Sequence, residues 1–171
     1  VIPVVLVACG GDIYFRSSDC RALMDFKILS SQISLPTNGA KITAATYVGE
    51  SDAGNTNGTY CKLIGLISPV DKTAPDIKFQ VNIPKDWNQK ALQYGGGGYN
   101  GSIPNTLTWT TLGLKDIDTP LKKGYVTFAS DSGHQAPNSD DASFAMNDEA
   151  LLNYGYMHIK KTRDVMVALT K

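Results

Sequence analysis

The chain has 171 residues, of which 42% are hydrophobic and 19% charged, values ordinary for one globular domain with a hydrophobic core. Sixteen basic and sixteen acidic residues give a formal net charge of zero, so no basic excess exists to hold a nucleic acid. No apolar run reaches the roughly 20 residues that a membrane-spanning helix needs. Sixteen glycines and eight prolines predict a chain rich in strands and loops.

The N-terminal segment, residues 1–11, resembles the end of a signal peptide. Within it, Leu6-Val7-Ala8-Cys9 resembles the lipobox of bacterial lipoproteins, in which cleavage precedes a cysteine that then carries lipid. On this interpretation residues 1–8 are a signal-peptide remnant. The mature chain then begins at Cys9, and the protein is exported and held on a membrane by a lipid anchor only. The alternative is a buried N-terminal strand with a free cysteine.

The other two cysteines follow from the same expectation of export. Cys20 and Cys61 would remain as an even pair in an oxidising compartment, which predicts a disulfide between them. Closing a loop of that length would stabilise the fold by roughly 4 kcal/mol in the chain-entropy model. The alternative is two buried thiols. Because the sequence has no Cys-x-x-Cys motif and no histidine cluster, it predicts no metal site formed by cysteine.

The first half of the chain predicts a helix followed by strands. Residues 21–29 have the pattern of a short helix, capped by Ser17-Ser18-Asp19-Cys20, and residues 30–38 that of a loop. Three strands are then expected at residues 41–48, 60–67 and 77–83, separated by turns rich in Gly, Asn and Pro. The third is the clearest, because Ile77, Phe79, Val81 and Ile83 alternate with polar residues.

The second half has an α/β pattern. A short strand at 91–94, a buried strand at 125–129 and a long helix at 148–171, weakly broken at Gly155, are the main predicted elements. Between them lie a loose helix or lid segment at 107–114, around Trp109, and a short helix at 118–124. Sites in α/β folds form at the carboxyl ends of strands, which makes residues 95–101 and 131–134 the candidate loops.

The first of these loops is the run Gly95-Gly96-Gly97-Gly98-Tyr99-Asn100-Gly101. Bare backbone N–H groups after a strand suit an oxyanion hole or a phosphate cradle. The glycines at 96, 98 and 101 fit Gly-x-Gly-x-x-Gly, but neither a convincing helix nor a Lys-Ser or Lys-Thr pair follows, which disfavours phosphate. An oxyanion loop therefore fits better, and a tight glycine turn without function is the remaining alternative.

The second loop contains Asp131, Ser132 and His134. We do not expect them to form a catalytic triad, because triad members usually converge from distant segments of a chain. His134 is predicted to be a structural hydrogen-bonding residue beside the site, and His158 a surface or packing residue of the last helix. The sequence contains no Gly-x-Ser-x-Gly nucleophile elbow.

Six motifs occur in one order along the chain and together resemble a known family. They are Cys20-x-x-Leu23; Tyr60-Cys61-x-x-x-Gly65; Ile77-Lys78-Phe79-x-Val81-x-Ile83-Pro84-x-x-Trp87-Asn88; the glycine run with Tyr99; Gly124-Tyr125 followed by Asp131-Ser132-Gly133-His134; and Ala142-Ser143-Phe144-Ala145. From about Cys20 onward the chain resembles the N-terminal part of the tannase/feruloyl esterase family. The resemblance implies an α/β-hydrolase fold and a Ser-His-Asp triad that cleaves carboxylic esters of aromatic acids.

The resemblance also implies roles for particular residues. Gly98 would supply a backbone N–H to the oxyanion hole, and its neighbours Gly97 and Tyr99 are predicted to contact the aromatic ester substrate. It supports the disulfide between Cys20 and Cys61. In the family the Gly-Cys-Ser-x-Gly-Gly elbow, the catalytic Asp and His and a calcium-binding lid all come later in the sequence.

Residues 9–171 are therefore predicted to be the N-terminal part of an α/β-hydrolase catalytic domain. Its sheet would be incomplete, and the nucleophile elbow and lid would be absent. The complete protein would be an exported serine esterase, placed as a bacterial outer-membrane or periplasmic lipoprotein or secreted. This chain alone would be inactive, would bind no cofactor and would need the remainder of the same protein. The alternative is a surface lipoprotein remnant that binds a ligand without chemistry.

Overall fold

The computed structural model describes residues 16–108, 117–136, 138 and 140–171. The predicted signal-peptide remnant, the lipidation site Cys9 and most of the segment predicted around Trp109 lie outside these residues.

Six strands form one mixed sheet in the spatial order β1-β2-β3-β4-β6-β5. The strands are β1 Lys27–Ile28, β2 Ala40–Val48, β3 Tyr60–Ile67, β4 Ile77–Pro84, β5 Ala91–Gln93 and β6 Val126–Ser130. Neighbouring strands are antiparallel except β5 and β6, which are parallel. The first four strands are antiparallel, as expected, and the parallel pair of β5 and β6 is consistent with the predicted α/β pattern.

The helices lie at the two ends of the described chain. Helix α1 spans Ser17–Ala22, and the C-terminal helix consists of α2 Asp148–Leu152 and α3 His158–Leu169, joined by a π-helical turn at Asn153–Met157. Gly155, where the sequence pattern is weakly broken, lies inside that turn. None of the described helices is both long enough and apolar enough to cross a membrane. A mixed sheet with these helices is consistent with an α/β fold.

The hydrophobic core covers one face of the sheet. The strand register aligns Leu63, Val81 and Phe128 across three adjacent strands, and all three are buried. Val165 and Leu169 of α3 pack in the same cluster, so this helix covers the sheet. The alternation predicted for the third strand is confirmed, because its four apolar residues, at positions 77, 79, 81 and 83, are all in this core.

The opposite face of β4 carries a buried polar cluster. Asn82 is fully buried, and its Nδ2 donates to Thr106 Oγ1 at 2.7 Å and to Thr127 Oγ1 at 3.0 Å. Gln80 Nε2 donates to the same threonine hydroxyl at 2.8 Å. These contacts fix the segment that follows the glycine run against the sheet, since buried amides need hydrogen-bond partners.

Two predicted helices were wrong in extent or type. Helix α1 ends at Ala22, and Lys27 and Ile28 instead pair with Lys41 and Ala40 as the edge strand β1. Backbone hydrogen bonds at the sheet edge stabilise these residues as a strand more than the short amphipathic pattern stabilises them as a helix. The segment predicted as a helix at 118–124 is a hydrogen-bonded turn that ends at Gly124, with φ +83°.

Cys20 of α1 and Cys61 of β3 form the predicted disulfide, and both residues are fully buried. The bond fastens the N-terminal helix to the centre of the sheet.

Candidate functional site

The candidate site lies where β5 and β6 end. Because these strands are parallel, their carboxyl ends share one edge of the sheet. The glycine loop, defined here as residues 95–101, follows β5, and the segment 131–134 follows β6. Tyr94 extends the pairing by donating its N–H to the Phe128 carbonyl at 2.8 Å. The two loops that the sequence singled out are therefore neighbours.

The conformation of the glycine loop depends on left-handed backbone at three positions. Gly98 has φ +58°, Asn100 φ +61° and Gly101 φ +84°. Asparagine is the residue that most readily accepts this region after glycine. A Cβ on Gly96 would lie 1.8 Å from Asn100 Oδ1, so the asparagine side chain folds back over the start of the loop.

Asn100 ties the loop to the end of β6. Its Nδ2 donates to the Ser130 carbonyl at 3.1 Å and to Ser132 Oγ at 2.8 Å. Sequence analysis gave this residue no role. The signal available was its position among glycines, where asparagine is the usual second choice for positive φ.

An aromatic cluster, formed by Tyr99, His134, Phe144 and Tyr154, lies against the loop. The His134 ring stacks on Phe144 with centroids 4.0 Å apart and an interplanar angle of 23°. Tyr154 contacts Phe144 at 4.7 Å and meets Tyr99 edge-on at 6.0 Å. The Tyr99 ring is 43% exposed and forms the outer member of the cluster.

In the middle of the loop the carbonyl oxygens have donors, whereas three N–H groups have no acceptor among the described residues. Three consecutive carbonyl oxygens each accept a hydrogen bond: Gly97 from the Asn100 N–H at 2.9 Å, Gly98 from the Tyr154 hydroxyl at 3.4 Å, and Tyr99 from His134 Nε2–H at 2.6 Å. Within the described residues, no acceptor takes the N–H groups of Gly96, Gly97 or Gly98. Free, oriented N–H groups can stabilise negative charge that develops on an oxygen atom.

Asp131 organises the turn behind the loop. It is almost fully buried, and its Oδ1 accepts the N–H groups of Lys78 and Gly133 at 3.1 and 3.0 Å. Its Oδ2 accepts Gln135 Nε2 at 2.6 Å. Burial raises the pKa of Asp131 to about 6, and these hydrogen bonds, together with the charge of Lys78, oppose the shift without cancelling it.

Asp131, Ser132 and His134 are not a triad. Their side chains have different partners and do not bond to one another. Asp131 accepts from the backbone of β4 and of the turn, Ser132 accepts from Asn100, and His134 donates to the Tyr99 carbonyl. The expectation that His134 is a structural hydrogen-bonding residue beside the site is confirmed.

A serine–histidine contact that sequence analysis missed lies under the end of β6. Ser130 Oγ and His158 Nδ1 are 2.9 Å apart. Burial, with a smaller effect of His134, lowers the pKa of His158 to about 4, so its ring is neutral at pH 7. Ser130 is buried, which makes this pair a contact between strand and helix and not an accessible nucleophile. No motif marks such a pair, because the residues are 28 positions apart.

Of the predicted site residues, Gly97, Gly98 and Tyr99 lie together in the glycine loop, while the disulfide of Cys20 and Cys61 joins α1 to β3. A dinucleotide site would need a helix after the last glycine, and residues 101–108 contain none. Among the described residues, no group of three or more His, Cys, Asp and Glu side chains could hold a metal ion.

Comparison with known proteins gives a consistent result. The sequence model of the family described as tannase and feruloyl esterase matches residues 61–171. An uncharacterized esterase of Agrobacterium fabrum is 67% identical over 150 residues, which are 88% of this chain and 27% of that protein. A mono(2-hydroxyethyl) terephthalate hydrolase of Piscinibacter sakaiensis is 28% identical over 106 residues, 57% of this chain and 17% of that protein.

Among solved structures, an esterase from Aspergillus oryzae resembles this fold with a TM-score of 0.58 and 17% identity, over 88% of this chain and 29% of that one. At that identity the likeness concerns the fold alone. The chain spans only 27% and 17% of the length of the two relatives above.

Proposed function

The chain belongs to the tannase and feruloyl esterase family, and on that premise we propose that it is the N-terminal portion of an exported serine carboxylic ester hydrolase acting on esters of aromatic acids. The relative from Agrobacterium fabrum carries the name of an esterase and supports the reaction type. The terephthalate monoester hydrolase supports an aromatic acyl group. The mixed sheet and its structural neighbour support an α/β-hydrolase fold whose remaining strands, nucleophile elbow and lid belong to other parts of the protein.

The observation that carries this proposal is the difference in hydrogen bonding between the carbonyl and N–H groups of the glycine loop. The carbonyls of residues 97–99 have hydrogen-bond donors, and the N–H groups of Gly96 to Gly98 have no acceptor among the described residues. Attack on an ester carbonyl places negative charge on the carbonyl oxygen. A fixed N–H on Gly98 would stabilise that oxyanion, and one such donor is worth roughly a hundredfold to a thousandfold in kcat.

Gly97 and Tyr99 would contact the substrate on either side of this donor. A Cβ placed on Gly97 meets no atom within 4 Å, so the space above this residue is open. The half-exposed Tyr99 ring, fixed by Phe144 and Tyr154, offers an aromatic surface beside Gly98. An aromatic acyl group would pack there edge-on or offset, as aromatic pairs prefer.

The remainder of the same protein would supply the nucleophile and its base. It would also pack against the apolar surface that this part of the chain exposes. Strand β5 pairs only with β6 among the described strands, which leaves its other edge open. Leu92 beside that edge and three residues of the C-terminal helix, Leu152, Tyr156 and Ile159, are exposed. Such an edge and apolar surface are ordinarily covered in a native protein.

The buried disulfide between Cys20 and Cys61 supports export, because disulfides persist in oxidising compartments. Lipidation of Cys9 would then hold the protein at the bacterial membrane surface, and this part of the proposal rests on the sequence alone.

The test is hydrolysis by the purified complete protein. We expect it to cleave a methyl ester of a hydroxycinnamic acid, and Gly98→Ala to lower kcat strongly, because alanine resists φ +58°. A complete protein that binds such an ester without cleaving it would refute the enzyme and favour a ligand-binding lipoprotein.

A further inference from the structure

The shortest hydrogen bond that holds the glycine loop comes from a histidine that has no part in the chemistry proposed so far. His134 Nε2 lies 2.6 Å from the Tyr99 carbonyl oxygen, whereas the Tyr154 hydroxyl lies 3.4 Å from the carbonyl of Gly98. A carbonyl oxygen only accepts, so Nε2 must carry the hydrogen. The neutral Nε2–H tautomer and the cation both satisfy this contact.

The ring that makes this bond is fixed on several sides. His134 is 3% exposed, stacks on Phe144, and meets Tyr154 edge-on with centroids 6.0 Å apart. The chain reaches it through positive φ at Ser132 and Gly133, in the turn that Asp131 holds. A Cβ on Gly133 would lie 2.9 Å from Asn153 Cβ, so the turn is pressed against the π-helical turn.

We propose that His134 is a positioning residue for the glycine loop: by donating to the Tyr99 carbonyl, two peptide units beyond the Gly98 N–H, it holds the loop with that N–H in the direction that an ester oxyanion requires. This inference rests on the proposed esterase function. The role is one of geometry, because the bond exists in both protonation states of the ring and needs no proton transfer. A displacement of about 1 Å at a reacting centre can cost roughly a hundredfold in rate.

Two substitutions separate the hydrogen bond from the packing. His134→Phe keeps a ring against Phe144 and removes the donor, whereas His134→Gln keeps an N–H donor near the Nε2 position and removes the ring. In the complete protein we expect the first to lower kcat about 10- to 100-fold with KM changed less than about twofold. The second should recover kcat to within about threefold of wild type.

Asn57→Ala is the matched control. Asn57 is buried and accepts a hydrogen bond from Thr119, in the turn that precedes β6. This variant should lower the melting temperature and leave kcat unchanged. A loss of kcat in His134→Phe with a normal melting temperature, together with its recovery in His134→Gln, would support the positioning role.

Two results would overturn it. The first is an active wild type in which His134→Phe retains kcat within twofold, or in which His134→Gln lowers kcat as much as His134→Phe. The positioning role is then wrong, while the proposed esterase function is unaffected. If the complete wild-type protein hydrolyses no ester, the proposed function fails and this inference fails with it.

Discussion

At the scale of single residues, the sequence singled out the glycine loop but not the side chains that shape it. A run of glycines identifies bare backbone, which made residues 95–101 a candidate loop, and the family resemblance then implied the role of Gly98. The roles of Asn100 and Tyr154 depend on long-range contacts to Ser132 and to the loop itself, at separations of 32 and 56 positions. Such contacts leave no local pattern.

Asp131 is the residue whose environment makes the clearest pH prediction. Burial raises its pKa to about 6 in the folded protein, against about 4 in an unfolded chain. Between these values the folded state binds the proton more tightly. Stability from this group is therefore full below about pH 4 and falls by about 3 kcal/mol as the pH rises to 6 and above.

We expect Asp131→Asn to remove that slope in urea unfolding of the complete protein between pH 4 and pH 7. His158, with its lowered pKa, contributes a slope of the opposite sign in the same range, so the difference between wild type and variant is the quantity to measure. Equal slopes in the two proteins would show that Asp131 titrates as an exposed carboxyl.

At the scale of elements, strands were predicted well and short helices poorly. Apolar and polar residues alternate along β4 because one face of the strand is buried in the core. This alternation is visible in the sequence, so the strand could be predicted from it. Residues 21–29 have the sequence pattern of a helix, but Lys27 and Ile28 pair with β2 instead. The sequence indicated only a weak break at Gly155, and the structure has a π-helical turn at Asn153–Met157 there, with Asn153 packed against the turn at Gly133.

The close approach of β3 and β4 gives a second prediction. A Cβ on Gly65 would lie 2.3 Å from Phe79 Cζ and 2.5 Å from the Lys41 carbonyl oxygen. Gly65→Ala should destabilise the protein by about 1–3 kcal/mol through overpacking. Gly155→Ala is the control, since a Cβ there meets no atom within 4 Å, and it should cost nothing. Equal unfolding midpoints for the two variants would contradict the packing at Gly65.

Helix α3 is fastened to the loop before β2 by Asp164. Its Oδ2 accepts the Ser34 N–H at 3.0 Å and the Ser34 hydroxyl at 2.6 Å, and Lys160 lies 2.6 Å away. Burial would raise the pKa of Asp164, but hydrogen bonds from Lys160, Ser34 and Arg163 outweigh burial and hold it well below its usual range. Stability from this group is therefore present above about pH 4 and lost in acid.

Asp164→Ala should cost about 1–3 kcal/mol in urea unfolding at pH 7, because it leaves the Ser34 donors unpaired. Lys160→Ala should cost less than about 1 kcal/mol, since its ammonium is partly exposed and its ion pair is screened. A larger loss in the lysine variant would mean that the ion pair, and not the contact with Ser34, fastens the helix.

At the scale of the whole molecule, the reaction type was predicted from the family resemblance and not from the residues alone. The strands were expected from pattern and the disulfide from cysteine number, but the reaction type was not, because the serine–histidine contact among the described residues involves a buried serine. On the proposed function, the rest of the protein would cover the exposed helix residues and the edge of β5 that pairs with no other described strand.

The isolated 171-residue chain should therefore self-associate and show no ester hydrolysis above background. Light scattering after gel filtration, with the complete protein as the control, measures the first property. A monomeric isolated chain with a sharp cooperative melt would contradict this prediction and favour an independent binding domain.

The most direct test of the central claim is a crystal structure of the complete protein inactivated by an aromatic phosphonate, whose phosphoryl oxygen takes the place of the oxyanion. We expect a covalent serine adduct with that oxygen about 3 Å from the Gly98 nitrogen and the Tyr99 carbonyl still bound to His134. An adduct whose oxygen points away from the glycine loop, or a protein that forms no adduct, would contradict it.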